Sequence, residues 1–191
     1  MKRMLLVAAL AATVLPQLQG CAPLAVGAAA GGAVLMANDR RTTGIYIEDE
    51  NIEWKAAARA REIAPNGHVN ATSYNRKVLL TGEVASEEEK KRVEDAVRET
   101  ASVREVTNEL QVAGGSSLAS RGSDALITSN VKARLVNNGK VSPNHVKVLT
   151  EAGVVYLMGL VTPAEGDAAA EIARNTSGVT RVVKVFEYIG K

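Results

Sequence analysis

Few side chains in this chain of 191 residues are suited to chemistry, and their spacing limits what they can do. There is one cysteine, Cys21, and there are two histidines, His68 and His145. A zinc centre needs three or four nitrogen, sulfur or carboxylate ligands, and no cluster with that spacing occurs along the sequence. Ser116, Ser117 and Ser120 have no histidine near them in sequence to activate a hydroxyl. Gly27 and Gly31-Gly32 follow no strand, so they do not form a phosphate-cradling loop. The run Glu87-Glu88-Glu89-Lys90-Lys91-Arg92 places acids before bases, which suits the dipole of a helix and pairing across one turn. It reads as a solvated face. No catalytic residue, no metal site and no cofactor is expected, and the chain reads as a binding protein rather than an enzyme.

Cys21 is the exception, because of what precedes it. Lys2-Arg3, the apolar run Met4 to Leu15 and then Leu18-Gln19-Gly20 form the pattern of a secretory signal peptide, too short to span a bilayer as a mature helix. Residues 1–20 are therefore expected to be removed. The Leu-x-Gly-Cys ending resembles a bacterial lipobox, whose cysteine thiol is acylated and becomes the N-terminus. An unpaired thiol in a secreted chain calls for such an explanation, and lipidation commits it. Two or three acyl chains, at about 0.8 kcal/mol per buried methylene, make a stable anchor. Ala22 stands where inner-membrane retention signals carry Asp, which favours the outer membrane, periplasmic leaflet. Residues 21–41 read as a lipidated Gly/Ala-rich tether. At its end, Arg40 and Arg41 either touch anionic head groups, at about 1 kcal/mol each, or are simply solvated.

The remainder contains an internal repeat. A shift of 77 positions lays His68-Val69 on His145-Val146, and Val78, Leu80, Gly82 and Val84 on Val155, Leu157, Gly159 and Val161. After the loss of one residue, Val103 and Val106 match Val179 and Val182, Leu110 matches Phe186, and Val112 matches Tyr188. Two domains are expected, 42–112 and 121–191, joined by a flexible Gly/Ser linker over 113–120.

Each copy reads helix, strand, strand, helix, strand. Ser123 or Asp124 can cap a helix whose Ile127, Val131 and Leu135 form one apolar stripe; Ile52, Ala56 and Ala60 keep that spacing in the first copy. Alternation at Val69, Ala71 and Ser73, and at Val146 and Val148, followed by Asn75-Arg76 or Ala152-Gly153, predicts hairpins. Ser86-x-x-Glu89 and Thr162-Pro163-Ala164-Glu165 read as capping boxes that start the second helix. A right-handed return to the sheet leaves an α+β fold, a three-stranded mixed sheet with both helices on one face.

The residues Ser123-Asp124, Ile127, Val131, Leu135, Val154-Val155-Tyr156-Leu157-Met158-Gly159-Leu160-Val161 and Gly178-Val179-x-x-Val182 resemble a BON domain. Val78-Leu79-Leu80-Thr81-Gly82 and Val103-x-x-Val106-x-Asn108 resemble the same module. Two such domains behind a lipobox, with Asp39-Arg40-Arg41-Thr42-Thr43-Gly44 ahead of them, are similar to the dual-BON-domain outer-membrane lipoproteins. That resemblance implies binding of anionic phospholipid at the periplasmic face of the outer membrane, support of envelope integrity and enrichment at division sites. It also implies that the first helix of the second domain makes the lipid contact. The alternative is an adaptor whose first domain docks an envelope protein, such as a cell-wall amidase activator or the outer-membrane assembly machinery. No nucleic acid and no small-molecule substrate is expected as a partner.

Charge favours the second domain for the lipid contact. Residues 42–112 hold 10 basic and 14 acidic side chains, residues 121–191 hold 9 and 6, so only the second domain is net positive. With Ile127, Val131 and Leu135 turned to the sheet, 100 degrees per residue puts Leu126, Ala133 and Val136 outward, with Lys132 and Arg134 on the flanks. Leu126, Asn130, Lys132, Ala133, Arg134 and Val136 form the candidate lipid-binding face. An apolar ridge bordered by cations suits a head-group boundary. His68 and His145 occupy matching positions, which points to a shared structural role.

Overall fold

The computed structural model describes residues 39–190. The expected signal peptide, Cys21 and most of the expected tether lie outside the described residues. The first domain runs α1 (Thr43–Ile63), β1 (His68–Tyr74), β2 (Lys77–Val84), α2 (Glu87–Arg98), β3 (Glu105–Asn108) and β4 (Gln111–Val112). The second runs α3 (Leu118–Asn138), a short 3-10 turn at Pro143–His145, β5 (Val146–Glu151), β6 (Val154–Val161), α4 (Pro163–Arg174) and β7 (Arg181–Tyr188). None of the described helices is long and apolar enough to cross a membrane.

Both copies build the expected mixed sheet. β2 pairs antiparallel with β1 and parallel with β3 and β4, while β6 pairs antiparallel with β5 and parallel with β7. β3 and β4 keep one register, Leu80 opposite Asn108 and Glu83 opposite Gln111, so they form one strand interrupted for two residues. At the interruption Leu110 is fully buried in the first core. Asn75-Arg76 and Ala152-Gly153 all have positive φ, between 49° and 74°. That is the twist a two-residue hairpin of this type requires.

Helix starts follow capping chemistry. Thr162 and Glu165 form a complete capping box. Ser86 Oγ accepts from the Glu89 amide, but Glu89 Oε2 reaches back one residue further, to the Ala85 amide. α3 departs from expectation: its cap is Ser117, which accepts from the Ser120 amide at 3.2 Å, so the helix starts at Leu118 rather than after Ser123 or Asp124. Ser117 has the same capping oxygen, and the single Gly122 costs only about 1 kcal/mol inside a helix. The stretch expected as a linker therefore ends in helix, and it begins just past β4, where the Ala113 amide still donates to the Val84 carbonyl.

Asp124, not needed as a cap, turns inward and accepts from the Ala152 and Gly153 amides at 2.9 and 2.8 Å. Asp49 of α1 does the same for Asn75 and Arg76, at 2.8 and 2.7 Å. In each domain a buried aspartate on the first helix thus locks the hairpin turn. The backbone amides of the turn gain a charged acceptor there, a stronger bond than a neutral pair makes.

Each domain has its own core on the helix side of its sheet. Ile52, Ala56, Ala60, Val78, Leu80, Val84, Val93, Val97 and Leu110 pack in the first. Ile127, Val131, Leu135, Val155, Leu157, Val161, Ile172 and Phe186 pack among others in the second. The opposite faces are not left to water. Tyr74 and Leu79 of the first sheet join Tyr156, Met158, Leu160 and Val185 of the second in a third buried cluster. The two sheets pack face to face, with the helices outermost. β6 is buried on both faces, which explains its unbroken apolar run.

Polar groups close the seam. Lys147 Nζ donates to Glu53 Oε1 at 2.6 Å, Asn75 Nδ2 to Glu187 Oε2 at 2.9 Å, and Arg104 to the same oxygen at 2.7 Å. Arg181 pairs with Glu109 at 3.3 Å. Burial at the seam pushes the Tyr156 phenol up to about 12. A second apolar sheet face must be covered, and the neighbouring domain covers it.

Candidate functional site

α3 carries the residues singled out from sequence, and its faces divide as the period predicts. Ile127, Val131 and Leu135 are buried at 6%, 0% and 1% exposure, against the second sheet. Leu126 and Val136 stand out at 68% and 60% exposure. Asn130, Lys132, Ala133 and Arg134 are exposed as well. Ten residues separate Leu126 from Val136, so the ridge is about 15 Å long at 1.5 Å per residue. Lys132 and Arg134 form no ion pair among the described residues, unlike Lys147 and Arg181, which domain docking consumes. Gly139, left-handed at φ 69°, ends the helix just beyond the ridge.

Arg40 and Arg41, open in the sequence between head groups and water, are engaged with the fold. Arg40 makes a two-pronged pair with Glu165 at 2.7 and 2.9 Å and donates to the Leu160 carbonyl at 2.8 Å. That guanidinium, with help from the Thr162 backbone and side chain, holds the Glu165 carboxyl down at about 2. Arg41 pairs with buried Asp49 at 2.8 Å and lies over the Tyr74 ring, 3.9 Å from its centroid. The segment before the first domain is thus clamped to both domains. A guanidinium with a fixed carboxylate and a ring to stack on gains more there than in water.

The matching histidines share a backbone role. A Cβ at Gly82 would come within 1.8 Å of the His68 carbonyl oxygen, and one at Gly159 within 2.2 Å of the His145 carbonyl oxygen. Strand crossing is close at both points, and only glycine fits. This accounts for the Gly identities in the repeat. The imidazoles, however, sit in different company. His145 Nδ1 lies 3.6 Å from Glu165, which Arg40 already neutralises. His68 Nδ1 lies 3.5 Å from Glu83 of its own domain and 3.8 Å from Glu151 of the other. Beside it opens a cleft of about 370 Å³ between the domains, lined by His68, Asn70, Arg121, Asp124, Thr128 and Glu151 among others.

A second exposed feature was not singled out from sequence. Trp54, the only tryptophan, is 74% exposed on α1, and Ile47 is 54% exposed seven residues earlier on the same face. The signal was there: position 54 falls outside the stripe of Ile52, Ala56 and Ala60.

The model of the BON domain matches residues 51–114 and again 123–190. The chain belongs to the BON domain family. Its two BON domains are similar over most of their length to curated relatives. The "Outer membrane lipoprotein DolP" of Haemophilus influenzae (strain ATCC 51907 / DSM 11121 / KW20 / Rd) is 41% identical over 177 residues, 90% of each chain. The "21 kDa hemolysin" of Actinobacillus pleuropneumoniae is 33% identical over 154 residues, 79% of each. "Osmotically-inducible protein Y" of Escherichia coli (strain K12) is 30% identical over 144 residues, 73% of this chain and 72% of that one.

Proposed function

We propose that this BON-domain protein is an outer-membrane lipoprotein, acylated at Cys21 and held at the periplasmic leaflet, whose second BON domain binds anionic phospholipid through α3. It supports envelope integrity there and is enriched at division sites. The anchor reading draws on the Leu18-Gln19-Gly20-Cys21 pattern and on the relative named as an outer-membrane lipoprotein. The lipid reading rests on one observation: Leu126 and Val136 lie exposed on the same helix as Lys132 and Arg134, which have no ion-pair partner among the described residues. Apolar side chains gain by entering the head-group boundary, and the two cations gain from anionic lipid at about 1 kcal/mol each. A concave enclosure for a whole lipid is not required. The function is binding, not turnover.

The test is co-sedimentation of residues 22–191, which lack both the apolar leader and the acyl anchor, with phosphatidylglycerol or phosphatidylcholine vesicles. Binding to phosphatidylglycerol alone, weakened by salt and by Lys132→Glu, is the expected result. Equal binding by the Leu126→Glu variant, correctly folded by circular dichroism, overturns it.

The second reading, an adaptor that docks an envelope protein through the first BON domain, is favoured by Trp54 and Ile47 on α1. Exposed tryptophans are enriched where proteins meet. A photo-crosslinker at position 54 should then capture an envelope protein in cells, and Ile47→Asp should abolish the adduct.

A further inference from the structure

The surroundings of the two matching histidines differ in one respect that bears on binding. In the second BON domain a cation, the Arg40 guanidinium, sits against Glu165 beside His145. In the first, Glu83 and Glu151 converge on His68, and neither has an arginine or lysine partner among the described residues. Arg121 lines the same cleft, but its Nε and Nη2 donate to Ser116 and it forms no ion pair with either carboxylate. Both carboxylates are withdrawn from water, with side chains only 9% and 12% exposed. The His68 Nδ1 is buried and makes no hydrogen bond. Two carboxylates and a free imidazole nitrogen so placed lack a positive charge.

The geometry fits an ion. One ligand atom from each of His68, Glu83 and Glu151 falls within 4.8 Å of the others. Zinc held tetrahedrally at about 2.0–2.2 Å separates its ligands by about 3.4 Å, close to the 3.5 and 3.8 Å measured from Nδ1 to the two carboxylates. The supporting bonds are also in place: Asn70 Nδ2 donates to Glu151 Oε2 at 2.9 Å, and the Ser116 amide donates to Glu83 Oε2 at 3.2 Å. Such outer contacts orient ligands for a metal. The open cleft at His68 and Glu151 offers an entry path and room for water. Gly82, without a side chain, leaves space against the imidazole. One imidazole and two carboxylates suit a borderline divalent ion such as Zn²⁺.

We propose that His68, Glu83 and Glu151 bind one divalent cation of the zinc class at the junction of the two BON domains, with water from the cleft completing the coordination. Because Glu151 belongs to one domain and His68 and Glu83 to the other, the ion would fasten the domains together. No sequence spacing could show this: the ligands lie 15 and 68 residues apart and meet only when the domains dock.

The experiment uses the purified full chain in detergent micelles, stripped of metal by a chelator, and titrates Zn²⁺ alone by calorimetry. One ion per chain is expected, together with a melting temperature that rises as the site fills. His68→Gln and Glu151→Gln, each checked for native circular dichroism, should weaken binding tenfold or more. His145→Gln should leave it unchanged, because Arg40 serves that site. Absence of saturable Zn²⁺ binding overturns the proposal. So does affinity unchanged in both His68→Gln and Glu151→Gln, or a melting temperature that responds at this cluster to protons but not to Zn²⁺.

Discussion

Arg40 and Glu165 are 125 positions apart, yet the guanidinium grips both carboxylate oxygens, at 2.7 and 2.9 Å. This pair ties the segment leading into the first BON domain to the capping box of the last helix, since Glu165 also accepts from the Thr162 amide. Arg40→Ala should lower stability at neutral pH by about 1 kcal/mol, the scale of a well-formed but partly exposed bidentate pair, or about 3 °C in melting temperature. The pH dependence has a definite sign. Glu165 ionises near 2 in the folded protein instead of at its ordinary 4.5, so its contribution is complete above about 4.5 and disappears as pH falls from there through 2. Melting curves of the two proteins should converge across that window; a gap that persists at pH 2 would show that Arg40 acts by other contacts.

Gly82 and Gly159 should both resist replacement, and unequally. Alanine at either position drives a Cβ against a histidine carbonyl, and backbone cannot retreat cheaply. Gly82 also has φ 109°, a conformation closed to alanine, whereas Gly159 is not among the positive-φ glycines. Gly159→Ala should cost about 2 kcal/mol and Gly82→Ala clearly more. Chemical denaturation of the two variants measures the order, and equal losses would remove the argument from φ.

The docked sheets predict cooperative unfolding of the two BON domains. Met158 is 1% exposed in the shared cluster, so Met158→Ala should cost about 3 kcal/mol. It should also begin to separate one calorimetric transition into two. Lys147→Glu should destabilise by placing like charges beside Glu53. The exchange Glu53→Lys with Lys147→Glu should recover only part of that loss, because Glu53 Oε1 also accepts from the Ser73 amide at 2.7 Å.

What the sequence reveals of this fold is whatever acts over a few positions of chain. Ile127, Val131 and Leu135 mark a helix face, Asn75-Arg76 marks a turn, and Thr162-x-x-Glu165 marks a cap, because each acts on residues a few positions away. Arg40 to Glu165, Lys147 to Glu53 and His68 to Glu151 leave no such trace, since their spacing is set by how two finished domains meet. Asp49 and Asp124 are intermediate. Their match at a shift of 75 rather than 77 hides them from the alignment of the repeat, although their job is the same in both copies. One signal of docking was legible: Val154 to Val161 is apolar at alternate and intervening positions alike, which a sheet with one wet face does not need.

Leu126 and Val131, five residues apart on α3, should answer opposite questions. Val131 is fully buried, so Val131→Ala should cost about 2 kcal/mol and leave vesicle binding by the folded protein intact. Leu126→Ser touches an exposed position and should change stability by no more than about 0.5 kcal/mol, while reducing binding to phosphatidylglycerol vesicles about tenfold. Trp54 then reports on which helix meets the membrane. It is the only tryptophan and sits on α1, on the outer side of the other domain's sheet. If α3 alone enters the head-group region, Trp54 should keep its water-exposed emission and its accessibility to a soluble quencher when vesicles bind. A blue shift with loss of quenching would place α1 in the lipid, and the charge argument for the second domain would then fail.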